Sequence, residues 1–304
     1  MSTQASLPTI SAPDRLREVM ARGCVPLPGA FNALCGKLIA DAGFPGAYVS
    51  GAATSVCAGV PDVGLLTAEH FCRVIREIFD ATGLPIIADA DTGFGEAEMV
   101  RRTVIEYARA GAAGLHLEDQ KFPKRCGHLD GKELVPVDHM AEKVQWAAKA
   151  AEEVGRTGAG RLIVCARTDA RGVEGFGAAV DRASAYCDAG AEMIFPEGLS
   201  SAAEFAEFAQ KLRARHPRAL LLANMTEFGK TPMIPLKDFA AMGYSCVIYP
   251  VTLLRIAMGA VGRALEVLTR EGSVESLLGQ MQTRQELYRA IGYTPGVPWE
   301  ARVR

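Results

Sequence analysis

Eight short apolar, β-rich runs recur along this chain, and amphipathic stretches of helical length separate most of them. The runs lie at 25–29, 47–51, 85–91, 114–118, 162–169, 191–197, 219–224 and 246–250. The helix-length stretches lie at 32–43, 67–81, 96–110, 138–154, 176–189, 201–214 and 236–242. Parallel strands need a long crossover between them, and an amphipathic helix supplies one that also covers the sheet. Eight such strands with no composition break predict an α/β fold of the closed (β/α)8 type. An open doubly wound sheet is the alternative, but no G-x-G-x-x-G follows the first run. The expected organisation is a flexible arm at 1–14 and one barrel domain over 15–304. Two helical segments, 252–271 and 274–291, follow the eighth run, one more than the barrel needs. The surplus segment belongs to a C-terminal extension over about 272–304, and it can dock on a neighbouring subunit or on its own barrel.

Composition removes several classes of function. Hydrophobic residues make up 49% of the 304 and charged ones 22%, which supports a large core and argues against disorder. A net charge of −2 gives no footprint for nucleic acid or an anionic membrane surface. No apolar run reaches the ~18 residues of a membrane span, and the first residues lack the pattern of a signal peptide. Neither a nucleic-acid nor a membrane partner is therefore expected. The eight cysteines include no C-x-x-C pair, and several sit inside apolar runs. Most of them read as buried thiols in a reducing, cytoplasmic setting, and only Cys126 has charged surroundings.

The ends of the apolar runs carry the chemistry. They hold Ser50, Asp89 and Asp91, Glu118, Arg167 and Asp169, Glu197, and Asn224. One polar strand end is a turn signal, but this set is a constellation where barrel enzymes place their sites. Asp89 and Asp91 stand two apart in a strand, so both point to one face. Paired carboxylates repel unless a cation or proton lies between them. Mg2+ suits them, with Mn2+ as an alternative, since it takes one or two carboxylates and completes its shell with water and substrate oxygens. Glu118 can join directly or through water. His116 shares the face of Glu118, where the plain reading is a satisfied core histidine and the sharper one a hydrogen-bonding group. Arg167 and Asp169 form a salt bridge, clamp a substrate carboxylate, or do both.

A long polar loop follows the fourth run, from Glu118 to Pro136. Cys126 has Lys124, Arg125 and His128 close by, and positive neighbours favour the thiolate. The plain alternative is an exposed basic loop with an incidental thiol. The residues alone predict a divalent-metal barrel enzyme acting on a small, oxygen-rich, multiply anionic substrate.

Lys124-Arg-Cys-Gly-His128 resembles the signature of the isocitrate lyase and phosphoenolpyruvate mutase superfamily. Asp89-Ala-Asp-Thr-Gly-Phe-Gly95 and Ala113-Gly-Leu-His-Leu-Glu-Asp-Gln120 are similar to its metal-binding runs. Ala166-Arg-Thr-Asp-Ala170, Phe195-Pro-Glu197, Asn224-Met-Thr-Glu-Phe-Gly229 and Met281-Gln-Thr-Arg284 extend the match. The resemblance spans about Pro28 to Tyr293 and is closest to the methylisocitrate lyase branch. It implies a Mg-dependent carbon–carbon lyase that splits a tricarboxylate, 2-methylisocitrate, into pyruvate and succinate. The 2,3-dimethylmalate lyases and oxaloacetate hydrolases of the same superfamily are the alternatives.

The resemblance also implies roles. Metal is held by Asp89, Asp91 and Glu118. Tyr48 is the general base, or water in its place, and Cys126 is the general acid that protonates the carbanion. His128 and Arg167 stabilise the developing charge. Ser50, Gly51, Ala52, Gly127, Glu197, Asn224, Thr226, Arg255 and Arg284 contact substrate. Ala52 departs from members with a second glycine after Ser-Gly. The resemblance further implies a homotetramer with exchanged C-terminal helices.

Overall fold

The computed structural model describes residues 10–125 and 131–299. The strands are β1 (Val25–Pro28), β2 (Ala47–Val49), β3 (Ile86–Asp89), β4 (Gly114–Glu118), β5 (Ile163–Thr168), β6 (Met193–Pro196), β7 (Leu220–Asn224) and β8 (Cys246–Tyr249). All neighbouring pairs are parallel, in the order β1-β8-β7-β6-β5-β4-β3-β2. A parallel bridge between Gly29 and Tyr48 brings β1 back to β2 and completes the (β/α)8 barrel.

Side-chain alternation splits each strand between two cores. On β3, Ile86 and Ala88 pack outward against the helices, whereas Ile87 faces the barrel interior. On β5, Val164 and Ala166 face outward, and Ile163 and Cys165 face inward. Continuing that inner phase up each strand leads to Asp89, His116 and Glu118, Arg167, Phe195 and Asn224. The site residues are thus the upper rungs of the ladder whose lower rungs fill the barrel.

Helices follow the strands in turn. After β1 comes α2 (Ala33–Asp41), after β2 come α3 (Gly51–Cys57) and α4 (Ala68–Thr82), and after β3 comes α5 (Ala97–Arg109). Then follow α6 (Val137–Val154) after β4, α7 (Ala170–Val173) and α8 (Phe176–Asp188) after β5, and α9 (Ala202–Arg215) after β6. The chain ends with α10 (Leu236–Ala241) after β7, then α11 (Thr252–Glu271) and α12 (Arg284–Ile291). Ahead of the barrel lies α1 (Ala12–Arg22), capped by the Ser11 side chain on the Asp14 N–H with proline near its start.

Three boundaries differ from the sequence reading. The arm expected over 1–14 is helical from Ala12, and α1 turns Leu16 and Met20 into the barrel interior as a plug. Asp91 lies beyond β3, which ends at Asp89, and takes a left-handed φ of 47°. The helix expected over 274–291 breaks into a 3-10 turn, Glu275–Gln280, and α12, because Thr283 caps a new start with Glu286 in a capping box.

In α11, Leu254 is the one buried residue among twenty, so the helix runs off the barrel rather than along it. No helix among the described residues is long and apolar enough to cross a membrane.

Leu16 is fully buried at the closed end of the barrel. Leu16→Ala is expected to lower stability by about 2–5 kcal/mol, measured by urea denaturation, because rigid strand walls cannot collapse into the cavity.

Candidate active site

Register brings the inner-phase polar residues together. Asp89 stands opposite His116, and Glu118 opposite Arg167. Arg167 is 7% exposed and lies among three acids. Its Nε and Nη2 donate to the two oxygens of Asp169 at 3.0 and 3.2 Å. Its Nη1 is 3.2 Å from Glu118 Oε2, and its Nη2 3.6 Å from Glu197 Oε2. The guanidinium also lies over the Phe195 ring, 5.2 Å from its centre. Burial opposes its charge, but the neighbouring carboxylates raise its pKa well above the usual range. The Arg167–Asp169 salt bridge is therefore formed, and the guanidinium presents its charge to the mouth from a fixed plane.

The second cluster surrounds Asp89 and Asp91. Asp89 Oδ2 accepts from the Gly51 N–H at 3.1 Å, and Oδ1 from the Asp91 N–H at 2.9 Å. A Cβ on Gly51 would stand 2.6 Å from Asp89 Oδ2, so glycine alone lets the start of α3 come so near. The Lys124 ammonium reaches in from the loop, 2.5 Å from Asp91 Oδ1 and 2.7 Å from Asp62 Oδ1. Burial works against charge on Asp89, but His116, Lys124 and Arg167 outweigh it and hold its pKa at about 2. Burial and the adjacent Asp89 push Asp91 the other way, to about 7. Two carboxylates divided in this manner share a proton at low charge and give it up to a stronger cation.

His116 lies at the bottom of the mouth, with no solvent exposure. Its Nε2 is 2.7 Å from the Tyr48 hydroxyl, and its Nδ1 is 3.7 Å from Asp89 Oδ1. Burial lowers its pKa to about 4, so the ring is neutral. Tyr48 is equally buried, and desolvation with nearby Asp89 raises its phenol well above the usual range. It holds its proton in the resting site.

Asp89, Asp91 and Glu118 offer only oxygen, the preference of Mg2+. The Glu118 oxygens and Asp91 Oδ1 are buried; Arg167 reaches Glu118 Oε2 and Lys124 reaches Asp91 Oδ1, which leaves Glu118 Oε1 without a hydrogen bond. Among the described residues, however, no three His, Cys, Asp or Glu side chains are grouped as a joint metal shell. The oxygen donors suit an ion that keeps several waters in its shell.

Other expected site residues vary in placement. Ser50 caps α3 through the Ala53 N–H, with Ala52 half-buried beside it. Asn224 donates to Glu197 Oε2 at 3.2 Å and leaves the other end of its amide buried without a partner. Thr226 is half-buried in the loop after β7. Arg255 pairs with Glu227 at 2.9 Å and is 44% exposed at the rim. Arg284 is exposed at the start of α12, whose contacts run to α2, so this chain does not bring it into the cluster. Cys126, Gly127 and His128 lie outside the described residues.

Lys124 and Asp62 were missed from sequence. Lys124 read only as a positive neighbour of Cys126, and Asp62 is one acid in a loop with no local mark. A lysine is seldom buried without paired acids, so the position of Lys124 in the signature was the available clue. A cavity of about 1070 Å³ adjoins the site on its outer side, lined by Asp91, Thr92, Met99, Gln120, Phe122 and Lys143 among others. It lies between helices rather than over the strand ends where the buried charges meet.

Buried acids, one fixed guanidinium and a loop lysine at the C-terminal ends of barrel strands define an oxygen-ligand, anion-handling barrel enzyme. The family model for phosphoenolpyruvate phosphomutase matches residues 16–269, and the chain belongs to that family, within the phosphoenolpyruvate mutase/isocitrate lyase superfamily. Within it, curated relatives named 2-methylisocitrate lyase match at 36–49% identity over 87–92% of this chain. A probable 2-methylisocitrate lyase of Corynebacterium glutamicum is 49% identical, covering 88% of this chain and 84% of its own. Among solved structures, a 2,3-dimethylmalate lyase superposes with a TM-score of 0.86 at 35% identity, covering 94% of this chain and 93% of its own. A phosphonopyruvate hydrolase in complex with oxalate and Mg++ gives 0.81 at 28% identity, covering 93% and 95%.

Removing Arg167 takes the guanidinium from three buried acids; Asp169 keeps Lys132 at 2.8 Å and Glu197 keeps the Asn224 amide, but Glu118 loses its ion pair in a dry site. Arg167→Met is expected to destabilise the fold by about 3–5 kcal/mol, by guanidinium denaturation. Arg167→Lys should recover only part of that loss, since an ammonium cannot reproduce the fork.

Proposed function

We propose that this chain is a Mg2+-dependent carbon–carbon lyase that cleaves 2-methylisocitrate to pyruvate and succinate. What carries the reading is the meeting of Asp89, Asp91, Glu118 and Arg167 at one barrel mouth in a chain so close to the 2-methylisocitrate lyases. The 2,3-dimethylmalate lyase is nearer in shape than in sequence, at 35% identity against 49% for the C. glutamicum relative. That ranking favours the tricarboxylate.

Asp89 and Asp91 would hold the ion, with Glu118 reaching it through water; when bound, Mg2+ acidifies the substrate hydroxyl. Tyr48 is protonated at rest, so it can accept the hydroxyl proton only as its own passes to His116 Nε2, already 2.7 Å away. The bond between the hydroxyl-bearing carbon and its neighbour then breaks. Its electrons move onto the succinate half, which becomes an aci-carboxylate. Arg167 faces that charge with a guanidinium that needs no reorganisation. Asn224 gives one amide N–H to Glu197 and has a second to donate to that charge, and Thr226, Arg255 and His128 complete the anion contacts. Ser50, Gly51, Ala52 and Gly127 line the backbone side of the substrate, and Glu197 keeps Asn224 and Arg167 in place. Cys126 gives its thiol proton to the carbanion carbon, which completes succinate.

The same reading assigns a homotetramer. Leu254, Met258, Val261, Leu265 and Leu268 recur along α11 at alternating steps of four and three. The last four are half-exposed. A seam of that spacing matches a helix of a second copy, to which Arg284 would then be carried. The same reading includes a cytoplasmic location, and thiols buried among apolar neighbours, such as Cys165 and Cys246, support it.

Cys126→Ser is expected to reduce pyruvate release by about a thousandfold or more while substrate still binds, by calorimetry. Unchanged turnover would remove the thiol from the reaction. Treatment with EDTA should abolish turnover, with recovery on adding Mg2+; full activity in EDTA would remove the metal. Product assays across 2-methylisocitrate, isocitrate, 2,3-dimethylmalate and oxaloacetate decide the substrate.

A further inference from the structure

Behind the mouth, on the outer side of β4 and β5, lies a buried polar network the reaction itself does not use. Its centre is Asp119, which has no solvent exposure. Asp119 Oδ1 accepts from the Asp169 N–H at 2.9 Å. Its Oδ2 accepts from the Thr168 hydroxyl at 2.7 Å and the Tyr186 hydroxyl at 2.8 Å. Arg182 Nη1 lies 3.5 Å from the same oxygen and donates to the Val135 carbonyl at 2.9 Å and the Tyr186 hydroxyl at 3.1 Å. The rest of the Arg182 guanidinium is clamped by both oxygens of Glu174 at 2.7 Å. Arg182 and Tyr186 stand four apart on α8, so one face of that helix delivers both.

Two lines of geometry leave this network. One runs through Thr168 and Asp169 to Arg167, whose plane Asp169 fixes. The other runs to the stem of the loop that carries Cys126. The Val135 N–H donates to the Asp119 carbonyl at 2.9 Å, and Lys121 N–H to the Glu133 carbonyl at 2.8 Å. Gln120 and Leu134 form an antiparallel bridge between them. The Gln120 amide then holds the Arg125 backbone from both sides at 2.9 Å. Both strands of the stem thus meet at Asp119, one as its direct continuation and the other through the Asp119 carbonyl and through Arg182, which holds Val135.

We infer that Asp119, Arg182 and Tyr186 are positioning residues, setting the Arg167 plane and the loop stem in register with each other. The lyase reading supplies the roles of Arg167 and the loop; the network itself stands on geometry. Buried ion pairs add little stability over apolar packing of the same shape, so what this one contributes is direction. Loosening it leaves the binding groups present but lets the acid-bearing loop and the anion-binding guanidinium drift apart. That drift weakens the chemical step more than binding.

The test uses full-length Tyr186→Phe and Arg182→Met, each compared with wild type by trypsin digestion and by lyase kinetics. Digestion is followed by mass spectrometry at Lys121 and Arg125 in the stem, and at Arg156, 77% exposed beyond α6, as a control. Both variants are expected to lose about tenfold or more in kcat with KM within about threefold. Cleavage in the stem should rise about fivefold or more while cleavage at Arg156 holds. Wild-type kcat and stem cleavage in Tyr186→Phe would overturn the inference, as would equal acceleration at Arg156, the mark of general destabilisation. Should Arg182→Met fail to fold, Tyr186→Phe decides alone. If wild type fails to cleave 2-methylisocitrate, the reaction assignment falls while the digestion still decides on the network.

Discussion

The structure depends on keeping several like charges dry and close together. Asp62, Asp89, Asp91, Glu118, Asp169 and Glu197 converge at one end of the barrel, and the described cations among them are Arg167, Lys124 and Lys132. Desolvation alone would drive these acids to take up protons. Arg167 and Lys124 prevent that for some, and the rise of Asp91 to about 7 shows where compensation falls short. A site with more acids than cations and two carboxyls, Asp91 and Glu118, pushed toward protonation by burial suits the exchange of a proton for a divalent cation. The barrel makes this tolerable, because eight strands fixed by continuous pairing cannot spread to relieve the repulsion.

Lys124 adds to this picture. Its ammonium enters the acidic cluster from the same loop that carries the thiol. A loop that inserts its own cation among the acids is drawn over the mouth electrostatically, and the contact strengthens as water leaves. Loop position and site charge are therefore coupled, and the anionic substrate adds to both sides of that coupling.

Much of the fold was legible because period-2 and period-3.6 patterns report burial directly, and barrel strands are buried on both faces. The inner-phase residues Asp89, Glu118, Arg167 and Asn224 could be placed at one rim from spacing alone. Other features depend on tertiary packing. Leu16 and Met20 give α1 an apolar stripe, but nothing local says that it plugs a barrel. Asp91 was given a strand conformation because Asp-Ala-Asp alternates, whereas its left-handed φ is set by the turn into α5. The capping box of Thr283 and Glu286, which divides the C-terminal segment, was read as the interior of one helix. Lys124 and Asp62 come from separate loops, and no spacing rule reports a contact closed by tertiary structure.

The site and its support also differ in how sequence encodes them. Residues that face the reaction sit at strand ends, where any polar side chain stands out against apolar neighbours. Arg182 and Tyr186 sit on a helix, where an arginine and a tyrosine four apart look like ordinary surface. Their burial shows only once α8 is laid against β5, and their link to the loop stem only once Arg182 Nη1 is found shared between the Val135 carbonyl and the Tyr186 hydroxyl. A barrel of this kind therefore separates what reacts from what aims it. The reacting groups can be read from one strand at a time, whereas the aiming groups exist only as relations between elements, and substitutions there should change rates without changing which chemistry is available.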